Sequence, residues 1–196
     1  MSVSKKSSNA AILGVLIAVT LVLQGLGYII PPISGVSLSF VLIPIVLTAV
    51  MYGTAKSTIV GTAFGVIVTT ASIIGIDPLG AYFFNQKPIT TILMCTLKGV
   101  FAGLAAGLVV SAFKNKNLYL ATLLAAIVTP VVNTGIFLFG CYAFLLPQFE
   151  SFSQDNLGMS ANAFVTAVIL INFAFELIIN IVFAPAVLRV CKAFKK

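Results

Sequence analysis

Six long apolar runs, separated by short polar stretches, make up most of this chain: residues 10–30, 38–52, 57–76, 89–113, 118–146 and 160–188. A helix that crosses the hydrocarbon core of a bilayer needs about 20 mostly apolar residues, so each run predicts a transmembrane helix. The second run is short, and Ser37, Ser39 and Pro44 weaken its start. The expected fold class is an all-α integral membrane protein, a single six-helix bundle over residues 1–196. Lys5 and Lys6 before the first run imitate the head of a secretory signal. That run is longer than the usual h-region, and no small-residue cleavage site precedes Pro31, so a retained first helix is expected.

The connections are unequal. Residues 53–56 and 114–117 are minimal turns, whereas residues 31–37, 77–88 and 147–159 are long. Long connections are where binding function tends to be carried, which points to a mouth closed by loops at one end of the bundle.

Composition excludes the alternative of a soluble domain. The chain is 60% hydrophobic and 8% charged, with a mean hydropathy of +1.18, against about 25% charged in ordinary soluble domains. Eleven Lys and Arg against four Asp and Glu would raise the question of nucleic acid. The cations, however, lie between apolar runs rather than along one face, so no nucleic-acid partner is expected. Lys5, Lys6, Lys56, Lys114, Lys116, Arg189, Lys192, Lys195 and Lys196 fall at alternate helix ends with no acid among them. By the positive-inside rule that end, with both termini, is cytoplasmic. Asp77, Lys87, Glu150 and Asp155 mark the outer side.

Chemistry is sparse. Cys95, Cys141 and Cys191 are odd in number and far apart, which suggests neither a disulfide framework nor a thiolate metal site. There is no His, the commonest metal ligand and general base. The segment 53–58 imitates the end of a phosphate-binding loop. It has Ala55 and Val50 where that loop requires Gly, so any ATP must be bound by another chain. No cofactor is expected.

Small residues recur at four-residue spacing: Ala10, Gly14 and Ala18 on the first run, Gly61 and Gly65 on the third, and Gly99, Gly103 and Gly107 on the fourth. In lipid such stripes let helix backbones approach closely. Packing within the bundle is expected for the third and fourth runs; for the first, packing and a partner chain stay open.

Two ionisable residues lie inside the spans, Lys98 on the fourth run and Glu176 on the sixth. Each costs about 2.5–3.5 kcal/mol at a helix centre on insertion scales, so both should face the protein interior. Asn172, Glu176 and Asn180 follow i, i+4, i+8 spacing and form one polar stripe. Thr91, Cys95 and Lys98 share a face on the fourth run, and Asn133 and Thr134 follow Pro130 on the fifth, where proline frees backbone carbonyls. Lys98 and Glu176 either staple two helices together or offer a cation to an anionic ligand. A proton relay is a third reading, weakened by the lack of a series of acids.

These features together resemble the substrate-binding S components of energy-coupling factor (ECF) vitamin transporters. The resemblance covers essentially the whole chain. It rests on the six spans, the small residues of the first run, Leu38-Ser39-Phe40-Val41-Leu42-Ile43-Pro44-Ile45-Val46 leading to Met51-Tyr52-Gly53, Leu97-Lys98-Gly99-Val100-Phe101-Ala102-Gly103, and Pro130-Val131-Val132-Asn133-Thr134-Gly135-Ile136-Phe137. It implies a vitamin-binding protein of the bacterial plasma membrane, not itself an enzyme, that docks on one transmembrane coupling subunit and two ATPases and topples in the bilayer during transport. It also implies a ligand near the outer side among the fourth to sixth helices. Lys98, Asn133, Thr134, Asn172, Glu176, Thr91 and, in the outer connection, Asn85 are the candidate binding residues. Ala10, Gly14 and Ala18 match the family's docking motif, with Gly in place of its usual middle Ala.

The chain has 16 Phe but no Trp, whereas flat ring systems favour aromatic stacking platforms. A small, branched, hydroxylated carboxylate suits one Lys, several amides and many aliphatic groups. The segment 130–137 is most similar to pantothenate-type members. Folate and a pyridoxine-type vitamin stay open, as does a stand-alone secondary transporter using Lys98 and Glu176, although no inverted repeat of the kind such transporters carry is visible.

Overall fold

The computed structural model describes residues 3–30, 36–37 and 40–194, the side chains of 3–9 and 194 excepted. Lys5, Lys6, Lys195 and Lys196, part of the first outer connection and the expected start of the second helix therefore lie outside the described residues or side chains. The elements run α1 (Val3–Ile29), α2 (Leu42–Tyr52), α3 (Thr54–Ile73), α4 (Pro78–Gln86), α5 (Pro88–Phe113), α6 (Leu118–Phe144), α7 (Leu146–Leu157), α8 (Ala161–Phe164), a π-helical turn (Val165–Ile169) and α9 (Leu170–Phe194). Among the described residues, five helical stretches are long and apolar enough to cross a bilayer: Ala10–Ile29, Thr54–Ile73, Pro88–Phe113, Leu118–Phe144 and Ala161–Ala193.

The sixth member of the bundle, α2, has only 11 residues, or about 16 Å at the 1.5 Å rise of an α-helix. It cannot span alone. Seven of its residues are buried, so protein rather than lipid surrounds the backbone at its ends, the arrangement that irregular structure at membrane depth requires. Gly53, at φ +82, ends α2 and starts α3 in one step, a left-handed backbone that glycine adopts without steric cost. For that reason α3 begins at Thr54 rather than near 57, and it ends at Ile73, ahead of Gly75 at φ +81.

The centre of the bundle is a glycine seam between α3 and α5. A Cβ on Gly61 would strike the carbonyl oxygen of Gly99, and one on Gly99 would strike that of Gly61. A Cβ on Gly65 would lie 2.7 Å from Cys95 O. Ser57 Oγ donates across the seam to Gly103 O at 2.8 Å. The stripes on the third and fourth runs thus pack against each other within the chain.

By contrast, α1 lies at the edge. It touches the bundle through Leu16, Thr20 and Gln24, spaced i, i+4, i+8, and only 22% of its apolar window is buried. Ala10, Gly14 and Ala18 are exposed on another face.

The two ends of the bundle differ. At one, the α2–α3 and α5–α6 turns meet around a groove lined by Gly53 and Lys114, and the start of α1 approaches the end of α9 around Ala11, Tyr52 and Val190. The cation-bearing turns therefore share an end. At the other, the outer connections expected as loops contain two helices, α4 and α7, each with Pro in its first turn, where the missing N–H costs nothing. The amphipathic α7 buries Phe149, Phe152 and Ser153, an i, i+3, i+4 face. Edge-to-face rings knit this cover to the bundle: Tyr82 on Phe152 at 5.3 Å, Phe83 on Phe149 at 6.2 Å, and Phe164 on Phe149 at 5.5 Å and on Phe152 at 6.0 Å.

Candidate ligand site

Beneath this aromatic cover lies a cavity with about 70 Å³ open to the centre of a water-sized sphere. The last three membrane helices each contribute to it. From α5 comes Lys98, next to the seam residue Gly99, so the close approach of α5 to α3 holds the stretch of helix that carries the charge. Its ammonium lies 5.7 Å from the centre of the Phe64 ring and 5.6 Å from that of Phe137, a cation–π arrangement that lowers the cost of keeping the charge away from water.

From α6 come Asn133, Thr134 and Phe137, and from α9 come Asn172 and Glu176. Asn172 Nδ2 donates to Glu176 Oε1 at 3.3 Å, and Asn180 Nδ2 donates to the Glu176 carbonyl at 2.8 Å. The polar stripe is therefore cross-braced, with Asn172 and Glu176 on the cavity wall and Asn180 behind it. The π turn, which ends at Ile169 on the cavity wall, immediately precedes that stripe; such turns concentrate at functional sites.

Asn133 Oδ1 and Asn172 Oδ1 are buried and accept no hydrogen bond from the described residues. An unpartnered buried acceptor costs about 1–3 kcal/mol, so the wall carries hydrogen-bonding capacity that the described residues leave unused.

Of the seven candidate binding residues, the fold brings Lys98, Asn133, Thr134, Asn172 and Glu176 to this cavity. The other two lie elsewhere. Thr91 is buried, with its hydroxyl donating back to Lys87 O at 2.9 Å, and Asn85 is exposed on the outside of α4.

Asp77 and Ser37, both from outer connections, also line the cavity. For Asp77 the available signal was the Asp77-Pro78 pair, a helix start that puts the acid at the mouth. Burial pushes its carboxyl above the ordinary range, while the Lys98 charge and the Gly80 amide pull it back.

A family model for the substrate-specific component of ECF transporters matches residues 9–188. This chain belongs to that family. Comparison with curated proteins gave no match; comparison with solved structures gave none either. The protein is thus the vitamin-binding subunit of a membrane transporter, not an enzyme, and it works with an ECF module. In an S component the cavity contents take on a sharper meaning, because such a subunit must hold a small molecule without transforming it.

Proposed function

We propose that this S component binds pantothenate, or a vitamin of the same chemistry: a small, branched, hydroxylated carboxylate. The supporting observation is one ammonium, Lys98, in a cavity whose buried amide oxygens on Asn133 and Asn172 have no donor among the described residues. An ammonium suits a carboxylate. The unpartnered oxygens suit ligand hydroxyl and amide N–H groups, which would supply the missing bonds. Size supports the same class. The accessible volume of about 70 Å³ is room for about five water molecules, or roughly 150 Å³ of liquid, closer to a short acid than to a fused-ring vitamin. In this reading Lys98 holds the carboxylate, Asn133, Thr134 and Asn172 take the polar groups, and Glu176 orients Asn172.

Mass spectrometry of the small molecule extracted from purified protein, followed by calorimetry, tests this reading. A pantothenate mass and one site per chain are expected. A folate or pyridoxine mass would overturn the assignment of the vitamin while leaving the cavity in place.

We infer further that the protein sits in a bacterial plasma membrane with its cation-bearing end cytoplasmic, and that α1 docks on the coupling subunit of a module driven by two ATPases. Support comes from the exposed Ala10, Gly14 and Ala18 and from Gly14, where an added Cβ would meet nothing within 4 Å. Among the described residues, nothing packs against the open side of Gly14. Gly14→Leu is expected to block association with the module and leave ligand affinity unchanged. Co-purification of an intact complex from that variant would reject the docking face.

A further inference from the structure

Asp77 enters the cavity from the α3–α4 connection and lines it together with Lys98 and Glu176. Its backbone is held on both sides: its N–H donates to Ala71 O at 3.3 Å, and its carbonyl accepts from Ala81 N at 2.8 Å. The carboxylate is packed as well. A Cβ on Gly80 would lie 2.8 Å from Asp77 Oδ2 and collide with Ser72 Oγ, so the acid rests directly on the first turn of α4. Its backbone is thus fixed at the point where α4 begins, with the carboxyl against Gly80.

The cavity therefore holds one cation and two acids. A bound organic anion would add a third negative charge. A like charge about 6 Å away, at an effective dielectric of about 20, weakens binding about a hundredfold. The site relieves this if a carboxyl takes up a proton. Asp77, held at the start of α4 on the cavity lining with Lys98, is the candidate; burial works against its charge and the Lys98 charge offsets that. A ligand anion on Lys98 offsets that attraction.

We propose that Asp77 is a specificity-determining residue, a fixed counter-charge to Lys98, so that the site binds one organic monoanion together with one proton. The inference rests on reading this cavity as the vitamin site. The proton comes from solvent and resides on the Asp77 carboxyl while the ligand is bound; no covalent bond changes. The titratable groups facing Asp77 are Lys98 and Cys95 on α5, Tyr28 on α1, and Glu176 on α9 across the cavity. Of these, Glu176 is the rival proton acceptor.

The test uses the full chain in detergent with two probes, pantothenate and its neutral alcohol analogue panthenol, titrated by calorimetry from about pH 5.5 to 8.5, where the carboxylate of free pantothenate stays ionised. Wild-type affinity for pantothenate is expected to weaken as pH rises, by up to tenfold per unit once Asp77 is ionised in the free protein. Panthenol affinity is expected to stay flat. Titration in buffers of different ionisation enthalpy should give an uptake approaching one proton per pantothenate at the alkaline end.

Asp77→Asn is expected to tighten pantothenate binding at least tenfold at the alkaline end and to flatten its profile, with panthenol unchanged. Glu176→Gln should retain the slope. A flat wild-type profile without proton uptake overturns the inference even if Asp77→Asn fails to fold, and so does a slope that survives in Asp77→Asn or disappears in Glu176→Gln. If the wild type binds neither probe, the reading of the cavity falls with it; if it binds with a flat profile, only the role of Asp77 falls.

Discussion

Lys98→Met is expected to weaken pantothenate binding at least about a hundredfold, close to 3 kcal/mol, the low end of the cost of breaking a buried charge pair. Met preserves the length and most of the volume of the side chain and can rest on the same Phe64 and Phe137 rings that flank the ammonium. The loss should therefore fall on the anion and not on the shape of the site. Removing the charge also relieves the membrane-insertion cost of about 2.5–3.5 kcal/mol, so the variant should insert and be recovered normally. What remains in the cavity is Asp77 and Glu176 without their cation, which repels an anion further. Panthenol, without the carboxylate, should bind the variant within a few-fold of wild type. Calorimetry with both probes checks this; equal affinity of pantothenate for variant and wild type would remove Lys98 from the site.

Gly99→Leu is expected to abolish the folded protein. The first atom it adds meets the Gly61 carbonyl and comes within 2.8 Å of Gly65 N, and both are helix backbone that no rotamer change can move. Overpacking a core costs typically 1–3 kcal/mol when side chains can adjust, and here they cannot. The helices must separate, which also loses the Ser57 to Gly103 bond at 2.8 Å and displaces the neighbouring Lys98. Gly135→Ala is the control: it sits in α6, where an added Cβ has nothing within 4 Å. By helix propensity the change should be neutral or stabilising, by up to about 1 kcal/mol. Thermal unfolding in detergent, read by size-exclusion profile, separates the two; a Gly99→Leu variant that melts with the wild type would refute the seam as the central contact.

The seam was legible in the sequence because Gly61, Gly65, Gly99, Gly103 and Gly107 repeat at the spacing that puts them on one side of a helix. Lys98, Asn172 and Glu176 were legible as inward-facing because a polar group at that depth is too costly toward lipid. Thr91 met the same test of helix face and still lies off the cavity, since its hydroxyl is satisfied by its own helix at Lys87 O. A side chain that can return its bond to the preceding turn carries no information about what it faces. Asp77 was the opposite case. Counted with the outer-loop charges, it is carried into the cavity by the short helix that Pro78 begins.

Hydropathy and charge by themselves determined that this is a membrane bundle and which ends of the apolar runs gather the cations, because lipid imposes its cost residue by residue along each helix. Only the tertiary structure decided that an 11-residue helix could be sheltered inside the bundle, that α4 and α7 cover one end through interlocking rings, and that Asp77 shares a cavity with Lys98. Those outcomes depend on groups far apart in the chain coming within contact distance. Such contacts arise from packing between elements, which the periodicity of a single helix does not encode.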